Sequence, residues 1–278
     1  MAKSGAPAGP SATMDERSFA EAVGDYLTQT WAVAAAEAQK LFHDPLELLT
    51  RAVQPVLWLM LFGEVMARVR GVAPGNLPYL DYLAAGILAQ SALFVAIFYG
   101  ISAIWERDLG VLQRYLASPA ARSALVLGKA ISAGVRALSQ AVIVYILALL
   151  LGVGINLNPI NIVGVAAAIV IGSGLFSTLS LIIACLVKTR ERFMGIGQVL
   201  TMPIFFASNA IYPLSLMPPW LKAVSHFNPL TYEVDALRAL MLTHGTSDYG
   251  LGLDFTVLAL VTAGLISIAA RMYGRMGY

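Results

Sequence analysis

Residues 105–129 read WERDLGVLQRYLASPAARSALVLGK, the longest charged interruption between strongly apolar runs in the chain. The stretch carries Glu106, Arg107, Asp108, Arg114, Arg122 and Lys129. Read as a helix, Leu109, Leu112 and Leu116 share one face by their three- and four-residue spacing, and Arg107, Gln113 and Arg114 fall on other faces. The run stops at Ser118-Pro119, where the serine can cap a new helix and the proline suits its first position. The expectation is a short amphipathic helix between two membrane spans, held at both ends and able to act as a rigid lever. A solvated connecting loop is the competing reading, because charged stretches are often only that.

Working outward, composition sets the class. Charged residues make up 12% of the 278 residues against about 25% in soluble domains, and the mean hydropathy is +0.74. This predicts an all-α polytopic membrane protein. The net charge of +2 says little by itself, since the placement of charge decides topology. The single cysteine, Cys185, lies in an apolar run and reads as packing. His43, His226 and His244 are scattered and make no metal-ligand spacing, so no metal is expected.

Residues 1–15 are small, polar and rich in Gly and Pro, and read as a disordered tail. Over 16–43, Phe19, Val23, Tyr26, Leu27, Trp31, Ala34, Ala38 and Leu41 recur at helical spacing, with Glu21, Asp25 and Glu37 off the stripe. That pattern fits an amphipathic interfacial helix along the cytoplasmic surface better than the alternative, a helix packed on the rest of the protein. Asp44-Pro45-Leu46-Glu47 is a helix start. From there a transmembrane domain over 44–278 is expected, with six spans near 46–66, 82–104, 125–151, 162–187, 193–212 and 255–273. Gln54-Pro55 should kink the first span and Pro203 should break the fifth.

Lysine and arginine gather on one side of this scheme. Lys40, Arg51, Arg107, Arg114, Arg122, Lys129, Lys188, Arg190, Arg192, Arg271 and Arg275 oppose only Arg68, Arg70, Lys222 and Arg238. Both termini and residues 105–129 are therefore expected on the cytoplasmic face. Between spans five and six, Pro218-Pro219 and Asn228-Pro229 each start a short helix, the second running to a stop at His244-Gly245. The reading is a helical hairpin dipping into the outer leaflet, with Asp235 and Arg238 close enough along the helix to pair. An extracellular lid is the alternative.

Two segments resemble the type-2 ABC exporter permeases, of the kind that confer drug resistance or export nodulation factors. The first carries Glu106-Arg107, Gly110, Ser118-Pro119 and Gly128-Lys129. The second, SNAIYPLSLMPPWLKAVSHFNPLTYEVDALRAL, carries Tyr212-Pro213, Met217-Pro218, Asn228 to Tyr232 and Asp235 to Arg238. Asn209 stands where many members have glycine. The resemblance implies a half-transporter. Two such permeases, identical or sister copies, would form the pathway among membrane lipids, driven by two separate ABC-type ATPase subunits; no nucleic acid is expected as a partner. ATP and magnesium would sit on those ATPases, with no cofactor on this chain and no catalytic residue. In agreement, the sequence has no G-x-x-x-x-G-K-[ST] phosphate loop, and Gly128-Lys129 is followed by alanine.

The resemblance also implies roles. Coupling to the ATPase falls to Glu106, Arg107, Asp108, Gly110, Leu112, Arg114, Ser118 and Pro119, with Arg190, Glu191 and Arg192 from the next cytoplasmic turn. Candidate pathway residues are Gln54, Gln90, Arg136, Gln140, Phe205, Phe206 and Asn209; Arg136 and Glu64 either face a cavity or reach back to the interface. An outer gate would use Tyr212, Pro213, Pro218, Asn228, Pro229, Asp235 and Arg238. Importer permeases carry an E-A-A-x-x-x-G loop that is absent here, so export of an amphipathic molecule (a drug-like compound, a lipid or a lipid-linked saccharide) is favoured. The alternative is an ATP-independent secondary transporter or channel; neither internal repeats nor paired carboxylates in the spans point that way.

Overall fold

A computed structural model of the chain describes residues 53–69, 77–111, 122–187 and 189–273, together with Gly24, Thr28, Trp31, Ala32, Ala35, Gln39 and Thr50. The tail over 1–15 lies outside these residues. Of the helix expected over 16–43, only the six single positions from Gly24 to Gln39 are described, each helical and exposed. Among the described residues there is no strand, and Ile155 and Leu242 form one isolated antiparallel bridge.

Helix α1 runs Val53–Ala67 with a wider π-helical turn over Trp58–Gly63, just after Pro55. Helices α2 (Tyr79–Tyr99) and α3 (Ile101–Asp108) join at Gly100 into one 30-residue rod. Then follow α4 (Arg122–Leu150), α5 (Pro159–Leu186) and α6 (Arg190–Phe206). A 3₁₀ turn over Leu214–Leu216 leads into α7 (Pro219–Phe227), α8 (Pro229–Met241) and α9 (Leu251–Tyr273). The rod α2–α3, α4, α5 and α9 are each long and apolar enough to cross a membrane. Six crossings were expected. Helix α1 is shorter than these four, and α6, at 17 residues, stops well before the expected residue 212. It stops because Ser208 turns its hydroxyl back to Phe205 O (2.7 Å) and the backbone leaves the helix there.

Helix α5 is apolar on all sides, and accordingly it sits at the centre, packed against α2, α4, α8 and α9. Within its most apolar stretch, α2 is 78% buried and α9 only 17%, so α2 belongs to the interior and α9 turns most of its surface outward. The irregular stretch after α6 is held by α2. Tyr82 Oη donates to Asn209 O (2.7 Å) and Tyr79 Oη to Ile211 O (3.1 Å), giving partners to carbonyls that no helix satisfies. Gly86 makes the close approach possible, because a Cβ there would run into the carbonyl of Ala210.

Helix α8 is buried against α2, α5 and α9, and its Glu233 carboxyl rests on Gly172, the fourteenth of 28 residues in α5. The helix ends at Met241, three residues before the expected His244 stop, where the chain leaves to pair with residues 154–156. A smaller apolar cluster, with Ala103, Ile104, Val126, Leu181, Phe193 and Tyr273, closes the other end of the bundle, and Cys185 packs against it.

Gly86→Ala should lower stability by about 1–3 kcal/mol through overpacking, measured as thermal unfolding in detergent. Gly195→Ala, with open space around it, should be neutral or slightly stabilising.

Candidate functional site

At the end of the bundle capped by the smaller cluster, four helix ends meet: the end of α3 and the starts of α4 and α6, with the end of α5 beneath. The sequence of α3 puts Trp105, Glu106, Arg107 and Asp108 on its last turn, so they point in different directions. Glu106 turns inward. Its Oε1 lies 2.7 Å from Lys129 Nζ on α4, with side-chain exposures of 12% and 3%. Lys129 Nζ is also 5.9 Å from the centre of the Tyr99 ring, one of the apolar walls around the pair.

Arg107 and Asp108 reach across to the α5–α6 junction. Arg107 donates to Val187 O (3.2 Å), a carbonyl just past the end of α5. Asp108 Oδ2 accepts from both Nε (3.1 Å) and Nη2 (2.9 Å) of Arg190, whose guanidinium lies 3.5 Å over the Trp105 ring. Thr189 caps α6 by accepting from Arg192 N–H. Glu191 and Arg192 are exposed at the start of α6.

The helix expected to carry Glu106 through Leu116 as one unit instead ends at Asp108. Gly110 takes φ +71°, a left-handed conformation suited to glycine, and its N–H closes the last turn onto Arg107 O. Glu106 and Arg107 therefore close a span; they do not open a separate helix. Leu112, Arg114, Ser118 and Pro119 lie outside the described residues.

Of the pathway candidates, Gln54 and Gln140 share a cavity of about 330 Å³ between α1, α2 and α4, with Ser91, Phe94 and Phe98. Arg136 lies 5.3 Å from the Tyr99 ring. Gln90 is buried in α2 outside that cavity, and Glu64 is exposed. Phe205 is fully buried edge-on to Trp58, whereas Phe206 is half exposed. Asn209 is buried; its carbonyl serves Tyr82 and Arg238, and its side-chain amide has no partner among the described residues.

At the opposite end, the expected helix starts are in place. Pro218 precedes α7, and Asn228 caps α8 by accepting from Leu230 N–H (3.1 Å) ahead of Pro229. Asn228 Nδ2 also donates to Ile204 O (2.6 Å), one of the unsatisfied carbonyls in the last turn of α6, and pins the α7–α8 corner there. Tyr212 donates to Phe206 O. Asp235 and Arg238, however, do not pair. Asp235 takes N–H groups from Asp248 (3.1 Å) and Tyr249 (3.0 Å) and the Ser247 hydroxyl (2.7 Å). Arg238 turns the other way, stacks on Tyr82 at 3.8 Å and donates to Asn209 O (2.9 Å). Each has better-placed partners from other segments than it has along its own helix.

Lys129, Glu233 and Asp254 are buried ionisable residues to which the sequence pattern assigns no site role. For Lys129 the signal was an acid and a base at the same end of neighbouring spans. Glu233, in the hairpin expected to dip into the outer leaflet, is fully buried and has no hydrogen-bond partner among the described residues. Burial without a partner favours the neutral carboxylic acid.

Glu106→Ala strands the Lys129 charge and should cost about 3–5 kcal/mol in detergent thermal unfolding. Glu106→Ala with Lys129→Met should recover most of that loss. Equal losses in both would remove the internal brace.

Comparison with known proteins agrees with this arrangement. Residues 28–242 match the profile of the family described as ABC-2 type transporter. The chain is 31% identical to a transport permease, ycf38, of Cyanophora paradoxa, over 72% of this chain and 70% of that protein. It is 24% identical to the daunorubicin resistance ABC transporter permease protein DrrB1 of Streptomyces coeruleorubidus, over 92% and 87%. Nodulation protein J of Neorhizobium galegae is 25% identical over 81% and 85%. The apolar helices, the charged cluster at their ends and the extent of these matches lead to one assignment: the chain is a membrane permease of the ABC-2 type transporter family.

Proposed function

We propose that the chain is the membrane-spanning subunit of an ATP-driven exporter, moving an amphipathic substrate outward with ATP hydrolysed by a separate ATPase. The observation that carries this reading is the ring of contacts at one end of the bundle. Glu106–Lys129 ties α3 to α4, and Asp108–Arg190 ties α3 to α6. A push on the segment that follows Gly110 would reach three helices together, as a lever needs. The resistance permease among the relatives supports a drug-like or other amphipathic cargo.

In this reading α1 and α6 supply the remaining two of six crossings in the cell (inner) membrane, and both termini are cytoplasmic. Arg107, Lys129 and Arg190 at the same end support that orientation. Two permease copies and two ATPases make the working assembly, and the outward-facing surface of α9 is free to meet lipid or the second copy. The segment from Pro213 to Gly245 serves as the outer gate, anchored by Asn228 to the end of α6.

The test is reconstitution in proteoliposomes with the ATPase that co-purifies. Export of an amphipathic fluorescent probe should require ATP and that subunit. Export without either would favour a secondary transporter or channel. Asp108→Arg or Arg190→Asp alone should change stability by only about 1 kcal/mol, as expected of a half-exposed pair, yet lose ATP-driven export. The double exchange should regain part of it. Unchanged export in both single variants would remove the pair from coupling.

Orientation is read separately. In a Cys185→Ala background, Thr189→Cys should react with an impermeant thiol reagent only from the cytoplasm, and Thr246→Cys only from outside. The reverse pattern would invert the topology.

A further inference from the structure

The end of the bundle away from the charged cluster holds a pocket of about 920 Å³ between α2, α7, α8 and the loop after α8. Its charged and aromatic lining comprises Tyr82, Lys222, His226, Arg238, His244 and Asp248. Arg238 is 4% exposed, and its stacking on Tyr82 and its bond to Asn209 O leave Nε–H without a partner among the described residues. A largely buried guanidinium lining a cavity is a ready partner for an anion. Lys222 and His226 stand one turn apart on α7 at the same pocket, and His244 faces them from the loop after α8.

Helix α7 has a second face. Trp220, Val224 and Phe227 recur at four- and three-residue spacing and are 68%, 48% and 90% exposed. Three large apolar groups on one stripe, with Lys222 and His226 on the other side, make a helix that lies at a membrane surface. The same short helix thus offers an apolar edge to lipid tails and a basic edge to the pocket.

We propose that this pocket holds the phosphate head of an anionic amphiphile whose chains lie against Trp220, Val224 and Phe227 in the adjoining leaflet. Arg238 and Lys222 supply charge-assisted donors, and Tyr82 and Tyr249 wall the head in. Asp248 is the acid among the lining residues. Burial, together with the neighbouring Asp235 carboxylate, pushes its carboxyl above the usual range, while Arg238 works against that shift. Its carboxylate form opposes the ligand. The site does not depend on the export reading, since binding is a property of the isolated chain.

The test uses the purified full-length protein in a non-ionic detergent, without ATP or ATPase, titrated calorimetrically with three probes. Dihexanoyl phosphatidylglycerol should bind, and dihexanoyl phosphatidylcholine should bind far more weakly. Lys222→Gln with His226→Gln, both exposed positions, should weaken phosphatidylglycerol binding about tenfold or more. Asp248→Asn should tighten it. Equal binding of the two lipids, or no effect of the Lys222 and His226 replacements, would overturn the proposal. Glycerol 3-phosphate binding as tightly as the lipid would overturn the amphiphile assignment and make the ligand a soluble phosphate.

Discussion

A polar group buried in a bundle this apolar costs free energy unless it finds a partner inside. Much of the architecture is an answer to that constraint. Tyr79 and Tyr82 supply hydroxyls to the broken backbone at 209–211, and Asn228 supplies an amide to the last turn of α6. Lys129 supplies an ammonium to Glu106. These contacts join segments far apart in the chain, so they fix how the helices sit against one another as well as satisfying the groups themselves.

The two ends of the bundle solve the problem differently. At the end bearing Glu106 and Asp108, charges neutralise charges, and the partners come from three helices. At the other end Arg238 is held by an aromatic face and a carbonyl, while Asp235 is spent on backbone N–H groups of the following loop. The first arrangement is stiff and closed. The second leaves a cationic group beside an open cavity.

Local signals in the sequence carried most of the fold. Long apolar runs located α2, α4, α5 and α9 to within a few residues, and the Pro219 and Asn228-Pro229 starts were read correctly because a cap and a proline act on their own turn. The charged stretch was rightly singled out, but its helix was drawn through Gly110. A leucine periodicity outweighed the one residue that could adopt a left-handed turn. The Asp235–Arg238 pairing failed for the complementary reason: spacing along a helix says that two groups can meet, and the loop at 247–249 and Tyr82 competed from elsewhere. The partners of Glu106 and Asp108 lie 23 and 82 residues away, beyond any periodic signal. The burial of Glu233 depends on α2, α5 and α9 around it, which no local pattern names.

The seating of Glu233 over Gly172 has a consequence for biogenesis. A 13-residue helix bearing Glu233, Asp235 and Arg238 is a poor substrate for insertion into lipid by itself. Its berth is built by α2 and α5, made earlier in synthesis, and by α9, made later. The berth of α8 therefore has all three of its walls only when α9 is in place. A chain truncated before α9 would leave Glu233, Asp235 and Arg238 beside a berth that lacks one wall.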